Sequence, residues 1–527
     1  MNRDLTSTQN DYAVFLPATS GFYATYIGKQ RYGNYVDPNR IPSSFTSGVE
    51  SLNYLEPDKG AFYYHWCLYS AGHANLDLNK HDEGEDMFRN RNRATSWVLG
   101  DSGGFQIGKG KWEGDWKDPN CPKAAKKRSQ VLTWMDSLMD YGMILDIPAW
   151  VARSPAGQKA TGISTYQEAV NATYINNDYF IRNRNGNCKF LNVLQGENHT
   201  DADDWYQRMK HYCDPKQFPN DHFNGWAMGG QNMCDVHLTL KRLVALKFDN
   251  LLEQGKQDWM HFLGTSKLEW ALLLTDIQRA VRKYHNPNFT ISFDCASPFL
   301  ATANGQIYVQ TEIEDRQKWL YRMLPSIDNK KYSLDTRLFK DAIVQDGHFN
   351  SFDSSPIIDG VEISDVCIYG PNDSNKLGKI GKTSWDSFSY AIMMGHNVWM
   401  HINSVQEANR QYDAGLCPAM LVQEKFDRIY FKDVIDAIFS TSDRGVADSI
   451  VDEFSRFWIE IPGTRGNTGK RTVNADTNFY KLFDTNVNKP RGADHELYDE
   501  DGEGVDEEEQ QEFDEDDILK LEKLEGL

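Results

Sequence analysis

The strongest constraint in this sequence is a pattern: eight short apolar runs, each ending in polar residues or glycine and followed by a loop and a helical segment. The runs are YAVFLPAT (12–19), YYHWCLYS (63–70), SWVLGDSGG (96–104), GMILDIP (142–148), FLNVLQG (190–196), GWAMGG (225–230), HFLGTS (261–266) and TISFDC (290–295). Between them, KAAKKRSQVLTWMDSLMDYG, CDVHLTLKRLVALKFDNLLEQG and LEWALLLTDIQRAVRKYH repeat apolar residues at three- and four-residue spacing, as amphipathic helices do. Strand and helix in alternation imply a parallel sheet. Near-continuous apolar strands imply that both faces of the sheet are covered, and eight units in about 300 residues fit a closed (β/α)8 barrel. An open doubly wound sheet satisfies the same periodicity.

Both architectures gather chemistry at the carboxyl ends of their strands. The residues that fall there are Asp101, Asp146, Gln195, Gly230, Gly264 and Asp294. Two strand-end aspartates, Asp101 and Asp294, supply the minimum for displacing a base at a sugar carbon through a covalent intermediate: a nucleophile and a proton acceptor. An aspartate in that place also caps helices or pins turns. Gly103 and Gly104 allow a tight turn and close approach of a flat ligand, with Phe105 as a stacking surface. Gly229 and Gly230 offer backbone N–H groups at another strand end. Gln195 carries both a donor and an acceptor and Asp146 can accept two N–H bonds, which matches the amide and amino edge of guanine.

The formal charge of −20 argues at first against a nucleic-acid substrate. The charge is unevenly spread, however. From Asp494 to Glu525 there are 17 acidic residues against Lys520 and Lys523, a net of −15, so the remainder carries only −5. The run DEDGEGVDEEEQQEFDEDD is expected to be disordered, because it has little to bury. The eight cysteines are scattered without a Cys-x-x-Cys pair, which fits reduced thiols. No stretch approaches the roughly 20 apolar residues of a membrane span, and MNRDLTSTQNDY lacks the order of a signal peptide, so a cytoplasmic location with no membrane partner is expected.

The order DSGGFQ, the Asp of ILDIP, VLQG, MGGQ, HFLG and ISFDC resembles the tRNA-guanine transglycosylase superfamily across residues 12 to 300. The resemblance implies a (β/α)8 TIM barrel, with Asp294 as covalent nucleophile and Asp101 as general base. It further implies that Phe105 stacks on the purine, that Asp146, Gln195, Gly229 and Gly230 read its edge, and that Ser102 lies within the base site. The domain organisation expected is a barrel core in 1–300, a C-terminal region with an insertion and barrel-closing helices in 301–490, and an acidic tail in 491–527. The implied reaction replaces guanine in a nucleic acid by a 7-deazaguanine such as preQ0, with Lys123, Lys126, Lys127 and Arg128 as candidate basic residues at the barrel mouth.

The family's structural zinc uses a Cys-x-Cys-x-x-Cys plus His arrangement. Here Cys367 stands alone and His401 resembles the zinc histidine, so no zinc or other cofactor is expected. The segment SPFLATANGQIYVQTEIEDRQKW also departs from the family pattern. SVQEANRQYDAG and FKDVIDAIFS are candidates for completing the barrel. These departures resemble the DNA-guanine transglycosylases of bacteriophages, so DNA is the expected partner, which would place the enzyme in the host cytoplasm, and tRNA the alternative. A catalytically inactive nucleic-acid-binding subunit on the same barrel is the reading from another class.

Overall fold

A computed structural model of the chain describes residues 1–33, 36–79, 86–303, 305–316, 318–325, 327, 329–367, 387–424, 428–463 and 483–484. The acidic tail lies outside the described residues. Eight parallel strands form one sheet: β1 (Val14–Pro17), β2 (Trp66–Ser70), β3 (Trp97–Asp101), β4 (Tyr141–Met143), β5 (Lys189–Leu194), β6 (Gly225–Met228), β7 (Trp259–Phe262) and β8 (Thr290–Cys295). Their order is β1-β8-β7-β6-β5-β4-β3-β2. The ring closes between β1 and β2 through an Ala18–Leu68 bridge, where Thr19 N–H donates to the Leu68 carbonyl at 2.9 Å. The fold is a (β/α)8 barrel, and all eight apolar runs supply its strands in order.

The strands are shorter than the apolar runs because the chain turns as soon as it clears the ladder. Gly103 adopts φ 72° immediately beyond β3, a conformation that only glycine takes at no steric cost. Helices Pro122–Leu138, Val236–Phe248 and Leu268–Tyr284 occupy the three segments with helical periodicity.

The eighth helix is displaced far along the chain. After β8 come a short helix, Ser297–Ala303, and a hairpin of β9 (Gln306–Asp315) and β10 (Lys318–Pro325). Only then does the 27-residue helix Ser387–Asp413 pack against β1 and the helices Gly21–Gln30 and Leu268–Tyr284, closing the outer layer. SVQEANRQYDAG forms the end of this closing helix. FKDVIDAIFS forms the helix Phe431–Ser440, which packs outside Leu268–Tyr284.

Side chains alternate between the barrel interior and the helical layer. Trp97, Tyr141 and Trp259 fill the amino end of the interior, with Trp97 and Trp259 stacked at 4.2 Å and Tyr141 within 5.5 Å of both. Such pairs contribute about 0.5–1.5 kcal/mol each beyond area burial. The amino end is thus plugged, and polar inward positions remain at the carboxyl end.

Candidate active site

Asp294 on β8 and Asp101 on β3 have β1 and β2 between them, and each is the last inward-facing residue of its strand. In-register pairing of β2 with β3 sets Ser70 beside Asp101, and Ser70 Oγ donates to Asp101 Oδ2 at 2.6 Å. Burial raises the Asp101 pKa. The hydrogen bond from Ser70 opposes the rise, while the negative charge of Asp294 adds to it. The two carboxyl groups therefore share one electrostatic neighbourhood, in which the charge of Asp294 makes Asp101 harder to ionise.

Asp294 is held at one oxygen. Gly264 N–H donates to Oδ1 at 2.9 Å, and His261 Nε2 lies 3.1 Å from the same atom. No described residue hydrogen-bonds Oδ2. The neighbouring backbone is pinned as well, since Thr265 N–H donates to the Asp294 carbonyl at 2.7 Å.

Asp146 lies three residues beyond β4, where Ile144 N–H still reaches the Leu191 carbonyl of β5 at 3.1 Å. Its carboxylate accepts from Gln195 Nε2 at 2.8 Å. Burial pushes the Asp146 pKa up to about 7; the Gln195 bond opposes this and the charge of Asp101 reinforces it.

Two glycine pairs give this amide–carboxyl pair its space. A Cβ at Gly104 would come within 2.5 Å of the Asp146 carbonyl, and one at Gly229 within 2.7 Å of Gln195 Nε2. The second pair divides its roles: Gly229 N–H donates to the Leu194 carbonyl at 2.8 Å, whereas Gly230, at φ 54°, has no backbone acceptor for its N–H among the described residues. Gly230 is the glycine whose N–H can meet a ligand.

Phe105 is buried beside this group, its ring 5.8 Å from that of Trp150, with Lys109 Nζ over both rings at 5.2 and 5.8 Å. Ser102 is buried between Asp101 and Gly103 and makes no hydrogen bond to a described residue. The structure thus brings Asp294, Asp101, Ser102, Phe105, Asp146, Gln195, Gly229 and Gly230 to one end of one barrel.

The basic candidates separate. Arg128 is 2% exposed and its Nε donates to Asn176 Oδ1 at 2.6 Å, so it belongs to the core rather than to the mouth. The reason is its place on the buried stripe Ala124, Arg128, Val131, Leu132 and Met135. Lys123 pairs with Glu113 on the surface, and Lys126 is exposed. Lys127 Nζ sits 4.8 Å over the Trp112 ring, and a Cβ at Gly103 would lie 2.7 Å from that ring's edge, so Lys127 is the member of the run nearest the site.

The histidine and cysteines in the place of the family's zinc set do not fit a metal. His401 is stacked between Phe15 and Tyr321, at 4.4 and 4.8 Å, and its Nε2 lies 3.6 Å from Cys295 Sγ. Burial pushes its pKa down to about 3, and its Nδ1 is buried without a hydrogen-bond partner. The Cys367 thiol donates to the Ile327 carbonyl at 3.1 Å. Among the described residues no three His, Cys, Asp or Glu side chains group as a metal site. All eight cysteines are free thiols, and no described helix is long and apolar enough to cross a membrane.

No protein-family model and no curated protein matches the chain. Sequence reasoning passed over Ser70, Trp112, Trp150, Lys109 and His261. Ser70 and His261 become legible once strands are paired in register, because each faces the barrel interior next to a strand-end aspartate.

Proposed function

We propose that this chain is a guanine transglycosylase that exchanges guanine in DNA for a 7-deazaguanine such as preQ0 through a covalent Asp294-glycosyl intermediate. One observation carries the reading: a carboxylate with one oxygen held and the other unbonded shares the barrel mouth with a carboxyl whose pKa is raised by burial and with an amide–carboxyl pair suited to the guanine edge. An ordinary glycoside hydrolase needs two carboxyl groups but has no use for the Gln195–Asp146 pair.

In this mechanism Asp294 Oδ2 attacks C1′ of the target nucleotide. The C1′–N9 bond breaks, its electron pair passes to the purine, and the Asp101 carboxyl supplies the proton with which guanine leaves. The incoming 7-deazaguanine then gives its N9 proton to Asp101. N9 attacks C1′, and the pair of the C1′–Oδ2 bond returns to Asp294. Two inversions retain the configuration at the sugar. Asp146 and the Gln195 side chain face the amino and ring N–H groups, Gly230 N–H faces the carbonyl, and Phe105 supports the ring.

The target base must leave its stack, which costs a few kcal/mol. Phe105, Trp150 and Trp112, with Lys109 and Lys127 over their rings, form an aromatic and basic margin that can offset this through stacking and phosphate attraction. The experiment is incubation with labelled guanine and, separately, double-stranded DNA, single-stranded DNA and unmodified tRNA. Label entering DNA is expected. Label entering tRNA alone would move the assignment to the tRNA reaction, and label in none of them would overturn it.

A further inference from the structure

Beneath Asp294 a chain of hydrogen bonds runs down the barrel interior. Trp259 and His261 face inward from β7, and Ser292 and Asp294 from β8, with His261 and Ser292 directly paired across the sheet. Trp259 Nε1 lies 2.8 Å from Ser292 Oγ, Ser292 Oγ lies 2.9 Å from His261 Nδ1, and His261 Nε2 lies 3.1 Å from Asp294 Oδ1. His261 and Ser292 are fully buried.

The donors along this chain can be ordered by elimination. An indole N–H can only donate, so Trp259 occupies one lone pair of Ser292 Oγ. The Ser292 hydroxyl must then place its own proton, and among the described residues His261 Nδ1 is the acceptor within reach. His261 therefore carries its proton on Nε2, aimed at Asp294 Oδ1. Trp259 is fixed in turn by its stack on Trp97.

We infer that His261, locked as the Nε2–H tautomer by Ser292 and Trp259, is a positioning residue that assigns the two oxygens of Asp294 different tasks. This rests on the exchange reaction proposed above. His261 Nε2–H and Gly264 N–H both converge on Oδ1, so Oδ2 is presented to the sugar carbon. In the ester Oδ1 is the carbonyl oxygen. When the incoming N9 attacks C1′ and the C1′–Oδ2 bond breaks, its electron pair returns to the carboxylate, and the charge spreads onto Oδ1 where the two donors wait. A donor already aimed at developing charge lowers the barrier without reorganisation. The charge grows as the ester is cleaved and shrinks as it forms, so His261 assists the second half-reaction most.

The test compares His261→Leu, which keeps bulk and removes the donor, with His261→Gln, whose amide N–H can reach the same point. His261→Leu is expected to lower the exchange rate by roughly 10- to 100-fold with KM for the base nearly unchanged, and to accumulate the covalent protein–nucleic acid adduct. His261→Gln should recover most of the rate and discharge the adduct. Equal impairment of both variants, or a wild-type rate in His261→Leu, overturns the inference. Nitrogen NMR of the unmodified protein provides a readout independent of turnover: the His261 ring should show a protonated Nε2 and a bare Nδ1. A proton on Nδ1, in either a neutral or a charged ring, also overturns it. Failure of the exchange reading is recognised separately, by wild-type protein that places labelled guanine in none of the polymers.

Discussion

Gln195 Nε2 donates to Asp146 Oδ2 at 2.8 Å, joining the loop after β5 to the loop after β4 inside the barrel mouth. The bond orients an amide and a buried carboxyl whose pKa burial has pushed up to about 7. The folded protein keeps the Asp146 proton to about pH 7, whereas the unfolded chain gives it up near the ordinary carboxylate value of about 4. Its contribution to stability is thus complete below about pH 4 and is lost as pH rises through 7. The stability of Asp146→Asn relative to wild type should rise by about 2–3 kcal/mol between pH 5 and pH 8.5, while base exchange is lost. Melting curves at the two pH values check the sign.

Ser70 acts on Asp101 in the opposite sense to burial, through its 2.6 Å hydrogen bond. Ser70→Ala removes a stabiliser of the charged carboxyl. Because guanine leaves with the proton of Asp101, the alkaline limb of the pH–rate profile for the first half-reaction should move to higher pH, and the rate on that limb should rise by about 10-fold, the worth of one hydrogen bond to a charged group. An unmoved limb would separate Asp101 from the proton transfer.

Gly229 and Gly230 should respond differently to alanine. At Gly229 the new Cβ meets the movable end of Gln195, so the fold should survive within about 1–2 kcal/mol while base affinity falls by at least about 10-fold. At Gly230 the new Cβ would lie 2.7 Å from the Gly196 carbonyl on a backbone at φ 54°, and the loss of stability should be larger. Denaturant unfolding paired with calorimetric binding of a 7-deazaguanine distinguishes the two.

Arg128 and Lys127 are neighbours in sequence with opposite fates. Lys127→Ala should weaken nucleic-acid binding about equally across sequences and reduce the slope of log affinity against log salt by about 1. Arg128→Ala should leave that slope unchanged and destabilise the fold by about 1–3 kcal/mol, because it strands Asn176, which also donates to the Leu145 carbonyl at 2.7 Å.

The barrel was readable because parallel strands buried on both faces must be apolar until they end, and the polar residues at their ends mark the face that carries the candidate site. Asp101, Asp146, Gln195, Gly230, Gly264 and Asp294 all lie there for that reason. The pairs were not readable, because Ser70 beside Asp101 and His261 beside Asp294 are consequences of the register between consecutive strands, which the intervening helix and loops do not reveal. Arg128 was hidden by the lysines around it, although its spacing from Ala124, Val131 and Leu132 is that of a buried helical stripe. The closing helix Ser387–Asp413 was only partly visible, since the hairpin β9–β10 and the segment after it intervene between β8 and the helix it would ordinarily precede. His401 kept the look of a zinc ligand in sequence. Its neighbours Phe15 and Tyr321 come from distant strands and make it a core residue instead.

The claim that Asp294 is the nucleophile is tested most directly by trapping the intermediate. The protein is incubated with guanine-containing DNA in the absence of an incoming base, quenched, digested and mapped by mass spectrometry. The account predicts a glycosyl adduct on the peptide carrying Asp294, absent in Asp294→Asn together with all exchange. No adduct on that peptide, with exchange persisting in Asp294→Asn, would contradict it.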